Sequence, residues 1–447
     1  MKKTREPGNR VIRVEGKKRK MGNKTEWVLS PKVMQLMEKG VRIHNPFSVE
    51  IGDEVQNSRI SGDGVVLFSG TKIYGEKTIV SSGAKLGYES PVTIVDCQIG
   101  PQVELKGGFF ASSVFMEKVS IGSGAQVRGG CLLEEGARGG HTVGLKQTIL
   151  FPFVTLGSLI NFCDCFMAGG TSQENHSEVG SSYIHFNYTP HQDKATPSLI
   201  GDVSRGVMLN QPPIFLGGQG GLVGPVRIGY GTVIAAGTVY RKDCPEGGKL
   251  LMEEGNLSRE KIFHIGFYGD IRQRVYNNIC YLANLLALRQ WYIHVRQPFF
   301  QLEELGKELY AGAIDKLGFA ISERLRQFQI LSGKMEKSME LSELSRNLLR
   351  GKISEMLLSQ QRELLENWPK IEGCFTGGCE ESVDLKNRDA FLEIIHRQIK
   401  QEGKNYIKVI QGLDSRASTI GTQWLKNIVD KITNMALDNI PSVTHNS

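Results

Sequence analysis

The stretch "LVGPVRIGYGTVIAAGTVY" places bulky apolar or aromatic residues at Leu222, Ile228, Ile234 and Tyr240, a period of six. A helix repeats near 3.6 and a flat strand at 2, so neither accounts for it. The same period runs through Val103, Phe109, Phe115, Ile121, Val127 and Leu133, and through Leu67, Ile73 and Ile79. Aliphatic–glycine pairs recur beside it, as at Leu86-Gly87, Ile99-Gly100, Ile200-Gly201 and Ile228-Gly229. A six-residue period predicts a parallel β-helix. Each hexad supplies a short strand and a bend, three hexads close one triangular coil, and the aliphatic side chain points inward. A sandwich would alternate by two instead. The phase breaks over 136–153, 187–198 and 208–221, which predicts loops there, with "GGQGG" (217–221) in a mobile insertion. Beyond Pro245 the spacing becomes helical: Ile271, Val275, Ile279, Leu282 and Leu286 form one apolar face within 258–296. Further helical patterns cover 301–350, 352–367, 384–411 and 415–437.

Composition sharpens this division. Residues 41–255 carry 35 glycines and 256–447 carry 13. A strand-and-turn composition thus gives way to a helical one. The expected organisation is a basic tail over 1–26, a β-helix over 27–250 and an α-helical domain over 256–447. Net charge is +7, yet residues 1–24 hold ten Lys/Arg against Glu6 and Glu15. The tail carries that excess, so the body is not expected to bind nucleic acid. No apolar signal core follows the tail, and no stretch is apolar enough to span a membrane. Eight scattered cysteines suit a reducing, cytoplasmic setting.

"VGSSYIHFNY" (179–188), "LIGD" (199–202) and "VGPVRIGYGTVIAAGTVYRKD" (223–243) together resemble the acetyltransferase domain of bacterial bifunctional UDP-N-acetylglucosamine pyrophosphorylase/glucosamine-1-phosphate acetyltransferase. That domain is a hexapeptide-repeat acyltransferase. The resemblance implies a left-handed parallel β-helix working as a homotrimer, here followed by an all-helical C-terminal domain. It implies acetyl-CoA or another acyl-CoA as co-substrate, bound between neighbouring prisms, with no metal, and a sugar phosphate or nucleotide sugar as acceptor. The family's nucleotidyltransferase domain has no counterpart, so pyrophosphorylase activity is expected to be missing.

Carried over by position, Asn187 and Tyr188 match the family's acetyl-CoA-contacting pair, and Ala236 matches a small residue under the CoA arm. Arg128 and Lys194 match phosphate-binding cations, chemistry that Arg and Lys suit. The departures are sharper. The catalytic His falls on Asp164, the sugar-binding Tyr on Met167, the sugar-binding Asn on Glu178, and a Lys on Pro152. N-acetylation needs a base titrating near neutrality. Asp164, His185 and His191 stand as alternative bases, and each histidine also reads as a surface or hydrogen-bonded structural residue. His176, His185 and His191 lack metal-ligand spacing. Two functions follow: acyl transfer to a sugar phosphate or nucleotide sugar, or a non-catalytic β-helix, a scaffold or sugar-nucleotide binder whose helical domain recruits partners. Cys163 and Cys165 are expected on one strand face with Asp164 opposite. Asn277, Asn278 and Asn284 read as an oligomer register or a polar face.

Overall fold

A computed structural model of the chain describes residues 29–252, 260, 263–301, 304–349 and 355–444; the basic tail lies outside them. After a short helix α1 (Pro31–Lys39), the chain winds into a parallel β-helix whose strands stack into three sheets of eleven, ten and eight strands. The first face runs from Arg42–Ile43 through Lys85–Leu86, Ser120–Ile121 and Thr155–Leu156 to Leu250–Leu251; the second runs from Glu50–Ile51 to Val239–Tyr240; the third runs from Ile79–Val80 to Arg227–Ile228.

The hexads act as the period predicts where the coil is regular. Phe115, Ile121, Val127 and Leu133 are all fully buried, on successive faces, as are Leu222 and Ile234. Coil length varies, however: Lys85 to Glu104 is 19 residues and Glu104 to Ser120 is 16. A one-residue slip sends a strand's side chains to opposite sides. Phe110, not Phe109, therefore fills the inward column between Ile94 and Val127, and on the third face Val80 rather than the expected Ile79 points inward beside Ile99. The expected break over 136–153 is likewise an ordinary coil. Real insertions occupy 168–177, 187–197 and 201–213, the last holding α2 (Val203–Gly206).

"GGQGG" is no mobile insertion. It turns the corner between Phe215–Leu216 and Gly221–Val223, where successive coils nearly touch. A Cβ on Gly217 would lie 2.3 Å from the Ala236 backbone nitrogen. We expect Gly217→Ala to cost about 1–3 kcal/mol, read as a lowered melting temperature, because neither backbone can yield.

The helices follow as α3 (Arg272–Trp291), α4 (Gly306–Leu349), α5 (Glu355–Glu366), α6 (Trp368–Thr376), α7 (Leu385–Glu402), α8 (Tyr406–Gln411), α9 (Ser415–Leu437) and α10 (Pro441–Thr444). They cover the third face. Its outward residues Ile79, Val114, Leu132, Ile149 and Phe166 are all buried, whereas outward residues of the first face such as Lys85 and Arg138 are exposed. Each such aliphatic contributes roughly 1.5–3 kcal/mol to docking. The Asn cluster on α3 completes the joint. Asn277 and Asn278 donate to the carbonyls of Pro225 and Ala195, at 3.0 Å each, and Asn284 accepts from the Val203 amide at 2.9 Å. Their register is thus between helix and coil. No helix among the described residues is long and apolar enough to cross a membrane.

Candidate functional site

The corner between the second and third faces gathers most of the singled-out residues. Arg128 and Asp164 each follow a second-face strand, and the loop 187–197 carries Asn187, Tyr188, His191 and Lys194. Asp164 takes a left-handed backbone conformation (φ 60°) at its corner. The chain therefore turns between Cys163 and Cys165, which belong to strands of different faces rather than one.

Asp164 is 2% exposed. Its Oδ2 accepts from the Asn187 amide at 2.6 Å, and its Oδ1 lies 3.1 Å from Nη2 of Arg324 on α4. Arg324, 3% exposed, also donates to Gln147 Oε1 at 2.7 Å and to the Lys194 carbonyl at 3.2 Å. One guanidinium thereby ties three successive turns of this edge to the helical layer. The buried guanidinium is offset by the Asp164 carboxylate and by these two acceptors, although Asp164 Oδ1 meets it as an ion pair without a hydrogen bond.

His185 stands in the inward column of the second face, in register above Phe162 and below Leu222, and is 1% exposed. Its Nδ1–H donates to the Cys163 carbonyl at 2.6 Å, and Nε2 accepts from the Ser198 hydroxyl at 2.7 Å. Burial lowers its pKa to about 4, so it is a neutral core imidazole. His191 accepts the Gly266 amide at Nδ1 (3.1 Å), which leaves its proton on Nε2, and its ring packs 4.4 Å from that of Tyr268. Burial, the largest cause, lowers its pKa too.

The loop itself is pinned. Asp193 Oδ2 accepts from Thr189 (2.7 Å), Tyr268 (2.9 Å) and Arg274 (3.2 Å), and Lys334 donates to the carbonyls of His191 and Gln192. Sequence reasoning missed Asp193, Arg274 and Arg324. Nothing in their local spacing marks them, because their partners lie 81 and 160 residues away.

The other candidates lie elsewhere. Tyr188 is 57% exposed and Arg128 is exposed at the same edge. Ala236 sits at the opposite edge of the second face, after Val233–Ile234. Glu178 points out from the first face, 3.9 Å from His176 Nε2. Among the described residues, no group of three or more His, Cys, Asp or Glu is placed to hold a metal ion. All eight cysteines are free thiols; that of Cys379 donates to the Cys374 carbonyl.

No protein-family model matches the chain. Curated proteins do. The bifunctional protein GlmU of Thermotoga maritima is 31% identical over 221 residues, 48% of this chain and 42% of that one. GlmU of Carboxydothermus hydrogenoformans is 26% identical over 236 residues, 53% of this chain and 47% of its own length. GlmU of Synechococcus elongatus is 29% identical over 213 residues. The chain spans less than half the length of these relatives. Among solved structures, a UDP-N-acetylglucosamine acyltransferase from Campylobacter jejuni covers 48% of this chain and 72% of its own, at 14% identity and a TM-score of 0.16, too slight a likeness to weigh. Sequence match and three-faced coil together show this much: the chain holds a parallel β-helix and is similar to part of the bifunctional GlmU proteins.

Proposed function

We propose that this chain is a β-helix of the acyltransferase type that has given up base-catalysed N-acetylation and serves, in the cytoplasm, as a binding scaffold for a phosphate-bearing sugar or nucleotide sugar, with its helical layer facing partners. One observation carries this reading: the residue at the base position, Asp164, is buried in an ion pair with Arg324 and holds the Asn187 amide. His185 and His191 offer no substitute, since every ring nitrogen that could accept a proton is already accepting a hydrogen bond. The eight free thiols support the cytoplasmic setting. Incubation with acetyl-CoA and glucosamine 1-phosphate is expected to release no CoA above the uncatalysed rate, read by chromatography. Turnover at an enzymatic rate would refute the reading.

A second reading keeps acyl transfer in a homotrimer. Asn187 and Tyr188 lie on one edge of the second face and Ala236 on the other, so one CoA could reach all three only between neighbouring prisms. Under this reading acetyl-CoA at a hundred times its Kd stabilises the protein by about 2.7 kcal/mol. The accompanying rise in melting temperature would disappear in the Asn187→Ala, Tyr188→Ala double variant. The scaffold reading expects no rise that depends on this pair.

A further inference from the structure

The open first face carries features that the acyltransferase corner does not use. Its outward side chains form a ladder in register: Lys85, Glu104, Ser120, Arg138 and Thr155. With Lys106 and Lys118 at the two edges, they line a groove of about 790 Å³. Four cations face one carboxylate across it. Three of the cations have acidic neighbours: Lys85 with Glu104 at 2.8 Å, Lys106 with Glu89 at 3.4 Å and Lys118 with Glu117 at 2.5 Å. Arg138, which is exposed, has no carboxylate partner among the described residues.

The wall behind Arg138 is unusual as well. Every other described first-face strand sends an aliphatic side chain inward, from Ile43 to Leu251; the strand Arg138–Gly139 sends none. A Cβ at Gly139 would stand 3.0 Å from Ile121 Cδ1, so neighbouring side chains take up the room an inward residue would need behind the guanidinium. Small side chains and glycines, Ser120, Gly140 and Thr155, floor this stretch.

An aromatic row adjoins the groove on the edge toward the second face. His44, Phe68 and Tyr88 follow first-face strands of three successive coils. His44 stacks on Phe68 (centroids 4.6 Å apart, planes 10°), and Phe68 meets Tyr88 edge-on at 5.3 Å. Tyr88 is 69% exposed and lies three residues beyond Lys85, where the groove begins. An exposed aromatic ring stacks a nucleobase, and a guanidinium grips phosphate oxygens in pairs. Coils are spaced by about 4.8 Å, so Lys85 and Arg138, three coils apart, stand roughly 14 Å from each other along the ladder. That span fits a small elongated ligand rather than a lone phosphate ion.

We infer that the groove from Tyr88 to Arg138 is a nucleotide site, with the base on the aromatic row and a diphosphate between Lys106, Lys118 and Arg138. This deepens the scaffold reading by giving its ligand a place, yet uses none of the residues of the Asp164 corner. The test is calorimetric titration of the full chain with UDP, ADP and inorganic pyrophosphate. At least one nucleoside diphosphate is expected to saturate a single site below about 1 mM. Arg138→Ser should weaken nucleoside diphosphate and pyrophosphate alike by at least about tenfold. Tyr88→Ala should weaken only the nucleoside diphosphate. Both side chains are exposed, so the ligand-free melting temperatures should stay unchanged. Asn187→Ala with Tyr188→Ala should leave the titration untouched, which separates this site from a CoA groove. The inference falls if no nucleoside diphosphate binds at about 1 mM, if binding survives both substitutions, or if single-stranded RNA binds the groove in preference to the nucleotides. An acetyl-transfer result of either sign leaves these outcomes readable.

Discussion

Replacing Arg324 by Met is expected to cost about 3–5 kcal/mol, the cost of breaking a buried ion pair. The size follows from what remains behind. Asp164 is 2% exposed and would keep its carboxylate with a single amide donor, Asn187, in place of a guanidinium. Gln147 Oε1 and the Lys194 carbonyl would lose their donor in the same step. Equilibrium unfolding in urea reads the loss as a lowered midpoint. Asp164→Asn in the Arg324→Met background should recover part of the stability, since the neutral amide no longer demands a cation. A double-mutant cycle then isolates the pair. Should Arg324→Met unfold at the wild-type midpoint, the corner would not be locked by this pair, and Asp164 would return as a candidate base.

The same residues show what a sequence discloses and what it does not. The six-residue period needs only local sterics: an inward aliphatic on each short strand and a small residue at each bend. It was therefore readable from Leu222 to Tyr240 without any partner. Phe109 was misassigned to the core because a coil of 16 residues, not 18, shifts the phase, and no local feature announces the shorter corner. The helical region was legible in its periodicity, but its seat on the third face was not. That seat depends on outward residues such as Val114 and Leu132, which look like any strand residue until a second layer covers them. Asp164 and Asn187 were visible as a departure from and a match to a family pattern, and His185 as an alternative base two residues before Asn187. Their occupation could not be foreseen, because it comes from Arg324 and from the inward column of the coil. Sequence spacing reports periodicity well; it is silent about which distant charge answers a buried one.

A second such charge sits further along the joint and gives a pH-dependent result. Glu134 is 2% exposed, at a third-face corner, and accepts from the Tyr292 hydroxyl at 2.5 Å. Its neighbour Glu135 pairs with Arg296 at 2.6 Å, and that guanidinium, fully buried, lies 3.7 Å from the centre of the Tyr406 ring. Burial raises the Glu134 pKa to about 7, Arg296 pulls the other way, and the Glu135 carboxylate adds to the rise. The folded state therefore binds more protons than the unfolded chain between the ordinary glutamate value and about 7. Stability from this group is full below that window, falls as pH rises through it, and is level above. The loss amounts to about 3 kcal/mol at most. Glu134→Gln keeps an acceptor for Tyr292 and removes the titration, so the variant should be more stable than wild type at pH 8 and no more stable at pH 4. His185, with its pKa lowered to about 4, contributes the opposite slope below its ordinary value. The informative quantity is thus the difference between the two proteins across pH, in which His185 cancels. A difference that does not change with pH would mean that Glu134 is ionised throughout, held by Arg296, and that the joint between coil and helices carries no proton-linked weakness.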